Sequence, residues 1–114
     1  MCNKNDFSAI TKDEKGYTTY AKYSNGYEKW YEYDEHSNLI YSKDSEGYES
    51  WYNYDKDNNM IYYKDSNGYE KWFKYDKGNL VYHTDSTGFG YWYIYGFKRF
   101  IYKIKSFIKR IFNK

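Results

Sequence analysis

The stretch Gly26-Tyr27-Glu28-Lys29-Trp30-Tyr31-Glu32-Tyr33-Asp34 decides the fold, because it returns almost intact further along the chain. It recurs as Gly47-Tyr48-Glu49-Ser50-Trp51-Tyr52-Asn53-Tyr54-Asp55 and as Gly68-Tyr69-Glu70-Lys71-Trp72-Phe73-Lys74-Tyr75-Asp76. A fourth copy starts at Gly88-Phe89-Gly90-Tyr91-Trp92-Tyr93-Ile94-Tyr95. Trp30, Trp51, Trp72 and Trp92 are 21, 21 and 20 residues apart. A fixed period of this kind marks stacked copies of one supersecondary unit. The rest of the unit repeats too, as Asn38-Leu39-Ile40-Tyr41, Asn59-Met60-Ile61-Tyr62 and Asn79-Leu80-Val81-Tyr82, followed by Asp44-Ser45, Asp65-Ser66 and Asp85-Ser86. The short third spacing arises in a turn, where Asp34-Glu35-His36-Ser37-Asn38 becomes Asp76-Lys77-Gly78-Asn79. A residue lost from a turn is tolerable, whereas one lost from a strand exchanges its two faces.

Each unit holds two runs with strand character. The first covers about 27–33, 48–54, 69–75 and 89–95, and the second about 39–43, 60–64 and 80–84. Tyr, Trp, Phe and Ile favour strands, and the Ser-x-Gly separators at 24–26, 45–47, 66–68 and 86–88 are turn chemistry. Residues 17–23 read as a further, degenerate strand. Short connections force neighbours to run antiparallel. The expected fold is mostly β: an antiparallel meander of about eight strands over 16–95, after a polar segment 1–15. Period-two counting puts Tyr27, Lys29, Tyr31 and Tyr33 on one face and Glu28, Trp30 and Glu32 on the other. Tyr33, Tyr54 and Tyr75 then belong to a tyrosine ladder, opposite one Trp per repeat. Only about a dozen Leu, Ile, Val and Met residues exist, so cross-strand aromatic pairs must replace an aliphatic core.

The order of Gly, an aromatic strand ending in Tyr-Asp (33–34, 54–55, 75–76), a polar turn and Asn-Leu-Ile resembles the tyrosine-aspartate (YD, or RHS) repeat of bacterial surface and toxin proteins. The resemblance covers about residues 16–95 and implies a β-strand architecture. Four copies are too few to enclose a toxin as large members of that family do. It departs from the pattern at His36-Ser37 and Asn58, where the usual turn glycine is absent. MORN repeats and choline- or cell-wall-binding aromatic repeats are weaker likenesses.

Composition changes after Gly96. Residues 97–114 carry seven Lys and Arg and no acid, whereas residues 1–96 carry 11 Lys against 16 acids, a net of −5. Phe97, Phe100, Ile101, Ile104, Phe107, Ile108, Ile111 and Phe112 follow helical spacing. Lys98, Arg99, Lys103, Lys105, Lys109 and Arg110 supply the charge, so an amphipathic basic helix is expected over 97–114. Three roles stay open: a cap on the sheet, an anchor in an anionic membrane interface, or a contact with nucleic acid or an acidic partner. Nucleic acid is disfavoured by the acidity of the repeats.

The sequence presents no catalytic constellation, and no enzyme, cofactor or metal is expected. His36 and His83 occupy unmatched repeat positions, and Cys2 has no neighbouring histidine. Asp55-Lys56-Asp57-Asn58-Asn59 opens like a calcium loop but meets Met60 and Ser66 where Gly and Glu are required. The aspartates 34, 55 and 76 are expected to start turns by accepting backbone hydrogen bonds. The tryptophans serve packing or ligand stacking, on sugars or quaternary ammonium groups. No apolar stretch follows the polar start Met1–Asp6, so no signal peptide is read and the expected location is cytoplasmic, peripheral to a membrane if the tail binds there. The leading expectation is a non-catalytic β-repeat binding or scaffolding protein attached through its basic tail to a protein partner or an anionic membrane. Alternatives are a carbohydrate- or cell-wall-binding module and a toxin-associated or immunity-type partner. Edge strands near 17–23 and 89–95 offer a route to self-association.

Overall fold

The computed structural model describes residues 6–94 and 97–103, with side chains described as far as Tyr91. The described residues form strands only: β1 Phe7–Lys12, β2 Thr18–Tyr23, β3 Glu28–Tyr33, β4 Leu39–Asp44, β5 Glu49–Tyr54, β6 Met60–Asp65, β7 Glu70–Asp76, β8 Asn79–Asp85, β9 Phe89–Ile94 and β10 Phe97–Lys103. The chain divides into two compact units, Met1–Trp51 and Tyr52–Lys114. In the first, β1 to β4 and the opening of β5 pair antiparallel in chain order. In the second, β6 to β10 do the same. The meander expected from the repeat is therefore present.

Two strands exceed the sequence expectation. β1 lies in the segment 1–15, read as a polar segment ahead of the repeats, and all six of its residues are exposed. Phe97–Lys103, where the helix was expected to begin, pairs with β9 as β10, Phe100 opposite Trp92 and Ile101 opposite Tyr91. A short run of mixed apolar and basic residues is compatible with a strand as well as a helix, and an adjacent strand with open backbone groups decides between them. Residues 104–114 lie outside the described residues. Because of β1 and β10, the segments 17–23 and 89–95 are paired on both sides rather than edges.

Turn chemistry sets the meander. At Asp44-Ser45-Glu46-Gly47 the Asp44 N–H donates to the Tyr48 carbonyl (3.0 Å) and the Gly47 N–H to the Asp44 carbonyl (3.1 Å). Gly47 has φ 89°, and a Cβ there would meet nothing within 4 Å, so the backbone conformation, not crowding, selects glycine. The Asp44 carboxylate closes the loop by accepting the N–H groups of Glu46 and Tyr48 at 2.9 and 3.0 Å. The same pair of bonds recurs at Asp13, Asp34, Asp55 and Asp65. The expectation for Asp34 and Asp55 is thus met. Asp76 differs: it faces Asn79 across a two-residue loop in which Lys77 and Gly78 both have positive φ (51° and 81°). That is the type I′ geometry whose twist matches antiparallel strands.

The shortened loop leaves the register intact. Glu32 faces Tyr41 and Tyr33 faces Leu39; equivalently, Lys74 faces Tyr82 and Tyr75 faces Leu80. In both hairpins one residue, Ile40 or Val81, is skipped, which is a β-bulge. The bulge sends Leu39 and Tyr41, two positions apart, to opposite faces. Serine then ties two of these turns to an earlier strand. The Ser45 N–H donates to the Glu28 carbonyl (2.9 Å) while the Glu28 N–H donates to Ser45 Oγ (3.0 Å), and Ser86 does the same for Glu70.

Little of the interior is aliphatic. The buried apolar side chains among the described residues are Ala21 and Tyr82, and the buried polar ones are Asp44, Ser50, Asp65 and Thr84. Ring pairs carry the packing, including Phe7–Tyr23 at 4.8 Å, Tyr23–Tyr27 at 5.6 Å, Tyr17–Tyr33 at 5.5 Å and Tyr52–Tyr63 at 5.3 Å.

Candidate functional site

On the Trp face the repeat builds one trio three times. Tyr20, Tyr41 and Tyr62 stand in register with Trp30, Trp51 and Trp72 on the next strand. Their ring centroids are 5.6, 5.8 and 5.9 Å apart with interplanar angles of 43–47°. Each tyrosine hydroxyl donates to a carboxylate two residues before the tryptophan, Glu28, Glu49 or Glu70. These bonds hold the tyrosines neutral. The Glu49 carboxylate pushes Tyr41 up to about 12, and burial followed by Glu70 does the same for Tyr62. Tyr20 is raised chiefly by its bond to Glu28. Two of the tryptophans remain part-exposed, Trp30 at 36% and Trp51 at 37%.

Lysines complete the trio. Lys22, Lys43 and Lys64 face Glu28, Glu49 and Glu70 in the strand register. Each of these three repeats thus places a lysine opposite a glutamate in the strand register. The fourth copy breaks this pattern. Gly90 stands where the glutamate would be and Thr84 where the lysine would be, and both Thr84 and Tyr82 are fully buried. A Cβ on Gly90 would fall within contact distance of the Tyr82 hydroxyl and 3.0 Å from its Cζ, so only glycine admits the Tyr82 ring here. The Trp92 side chain lies outside the described residues; its backbone faces Tyr82.

The opposite face carries tyrosines with a different job. Tyr27 donates to Asp44 at 2.6 Å and Tyr69 to Asp85 at 3.1 Å, so this face is stitched to the turn aspartates. The Tyr27 bond is the main cause that lowers the Asp44 carboxyl below its ordinary value, with the Tyr48 and Glu46 amides adding to it against burial. At Asp85 burial acts upward but is outweighed by the Thr87 hydroxyl and amide and by Tyr69. Tyr33 donates to the Thr18 carbonyl at 2.8 Å and is half-buried, as are Tyr54 and Tyr75. Burial raises Tyr33 and Tyr75 above the usual tyrosine value. These ladder residues pack; the half-open tryptophans are the ones a ligand could reach. The sequence missed Tyr20, Tyr41 and Tyr62, although their spacing of 21 residues was a readable signal.

His83 lies between Phe73 (5.8 Å) and Tyr91 (4.5 Å, stacked), and His36 sits in a turn beside Glu35 at 3.4 Å. Among the described residues no group of three His, Cys, Asp or Glu side chains could hold a metal ion. Nor, among them, is any helix long and apolar enough to cross a membrane. Of the expected tail residues, Lys98, Arg99, Phe100, Ile101 and Lys103 fall on β10, while Ile104, Lys105, Phe107, Ile108, Lys109, Arg110 and Ile111 lie outside the described residues. No family model matches the chain, and no curated protein is significantly similar to it.

Proposed function

We propose that the chain is a non-catalytic β-repeat binding protein: a platform of recurring Tyr–Trp–Glu trios, attached to an anionic membrane surface through its basic C-terminal residues. The observation that supports this best is the recurrence itself. The same three side chains meet in the same geometry at Trp30 and Trp51 in the first unit and at Trp72 in the second, and such repetition suits contact surfaces rather than one reactive centre. The attachment rests on the sequence pattern of 104–114, where Ile104, Phe107, Ile108 and Ile111 alternate with Lys105, Lys109 and Arg110 at helical spacing. Basic residues near an anionic surface contribute about 1 kcal/mol each.

The test is co-sedimentation of the full chain with phosphatidylserine-containing vesicles, beside a variant carrying Lys105→Glu, Lys109→Glu and Arg110→Glu. The variant is expected to stay in solution while the parent pellets. Equal pelleting of both, or of neither, refutes the attachment. Retention of the parent, but not the variant, by an acidic protein in place of vesicles reassigns the tail to a protein partner.

A further inference from the structure

β1 is a degenerate copy of the strand type that β3 represents. Ala9 faces Lys22 as Trp30 faces Lys43, Ile10 faces Ala21 as Tyr31 faces Ser42, and Thr11 faces Tyr20 as Glu32 faces Tyr41. Lys12 skips Thr19 to face Thr18, as Tyr33 skips Ile40 to face Leu39. The Ser24 N–H donates to the Asp6 carbonyl at 2.8 Å, the counterpart of the Ser45 bond to Glu28. The two strands differ in what covers their other edge. Lys29 and Trp30 of β3 pair with Ala21 and Tyr20 of β2, whereas no strand among the described residues pairs with the corresponding edge of β1.

That edge carries open hydrogen-bonding groups. The Asp13 N–H bonds the Tyr17 carbonyl, and alternate residues of a strand bond to the same side. Ala9 and Thr11 therefore turn to β2, while Ile10 and Lys12 turn their N–H and C=O groups away from it. All six residues of β1 are exposed, Phe7 at 48% and Ile10 at 46%, whereas in β3 only Trp30 and Glu32 are. β3 carries the charges of Glu28, Lys29 and Glu32; β1 carries only Lys12, at its end, and the chain has no proline. Charged residues and proline are among the features that keep an open edge from pairing with another chain.

The strand is its own complement. Ser8 is skipped in the pairing with β2, which brings Phe7 into line with Ile10 and Lys12 on one face. Two copies of β1 laid antiparallel over their full length then set Ile10 opposite Ile10 and each Lys12 opposite the Phe7 of the second copy. Apolar side chains meet at the two-fold axis, and each ammonium meets an aromatic ring rather than its own like. We propose that the chain forms a two-fold dimer through β1, joining the sheets of two first units edge to edge. Both copies present the same patch, so the contact closes on itself. One short strand from each copy buries far less than the roughly 1,600 Å² of a standard interface, so the dimer is weak and concentration-dependent. The pairing uses neither the tail nor the Trp face, and it goes beyond the function proposed above.

The experiment is sedimentation velocity of the full chain from micromolar to millimolar concentration, with a reductant present so that Cys2 cannot link copies. The parent is expected to pass from monomer to dimer. Ile10→Lys changes an exposed side chain and would bring two ammonium groups together at the axis. It should weaken dimerisation about tenfold with the circular dichroism spectrum unchanged, and Ile10→Glu should do the same. Mixing the two variants should restore a dimer at close to the parent's affinity, which general destabilisation would not produce. A parent that stays monomeric at millimolar concentration overturns the proposal. So does an Ile10→Lys variant that dimerises as the parent does, or a mixture of the two variants that stays monomeric. Growth beyond the dimer also overturns it, because a head-to-tail contact with another strand does not close.

Discussion

Replacing Asp44 by alanine should be the most damaging change to a turn in the first unit. The carboxylate is 7% exposed and accepts three hydrogen bonds: Glu46 N–H at 2.9 Å and Tyr48 N–H at 3.0 Å on one oxygen, Tyr27 O–H at 2.6 Å on the other. Hydrogen bonds to a charged group contribute about 1.5–3 kcal/mol each, and less where water can replace the partner. Glu46 and Tyr48 are exposed, so their amides recover much of the loss from solvent, whereas Tyr27 is half-buried. The expected cost of Asp44→Ala is therefore about 3 kcal/mol. Asp44→Asn keeps an oxygen for both amides and lets the Tyr27 hydroxyl turn to accept, so it should cost about 1 kcal/mol. The pH dependence carries a sign. The folded-state carboxyl of Asp44 lies below its ordinary value. Its contribution is complete above the unfolded pKa of about 3.9 and disappears as pH falls through the lower folded value. The gap between parent and Asp44→Asn should accordingly close in acid. Urea unfolding followed by far-ultraviolet circular dichroism, at neutral pH and down a series of acidic ones, measures all three quantities, with an unchanged m-value as the control. A cost below about 1 kcal/mol for Asp44→Ala, or equal losses for Ala and Asn, would refute the reasoning.

Ser37 has φ 66°, a conformation that favours glycine, and Ser37→Gly should stabilise the chain by about 0.5–1 kcal/mol in the same urea assay. Gly90→Ala should destabilise by about 1–3 kcal/mol because its Cβ would run into the buried Tyr82 ring; adding Tyr82→Phe should restore part of the loss, and no restoration would point to the backbone instead. In alkali, Tyr41 and Tyr62 should ionise only near pH 12, as seen by the ultraviolet absorbance of phenolate. Their raised folded values mean that stability is intact below pH of about 10 and is lost as pH climbs through the folded pKa. Glu49→Gln should remove the main cause of the Tyr41 shift and move that titration down, while leaving the Tyr62 titration in place.

The sequence by itself determined the period, the antiparallel pairing and the positions of the turns. Those depend on local chemistry: Asp-x-x-Gly loops close on their own amides, and short loops leave neighbours no choice of direction. It also showed that aromatic rings would stand in for an aliphatic core, since composition alone excludes the alternative. The tertiary structure decided which rings meet. Period-two counting places Leu39 and Tyr41 together, but the bulge at Ile40 parts them and delivers Tyr41 to Trp51 and Glu49. A bulge is a compromise between two paired strands, and neither strand records it alone. The strands at Phe7–Lys12 and Phe97–Lys103 were hidden for a related reason: each is held by pairing to a neighbour, and short stretches of mixed polarity take whatever conformation that neighbour's open hydrogen bonds demand.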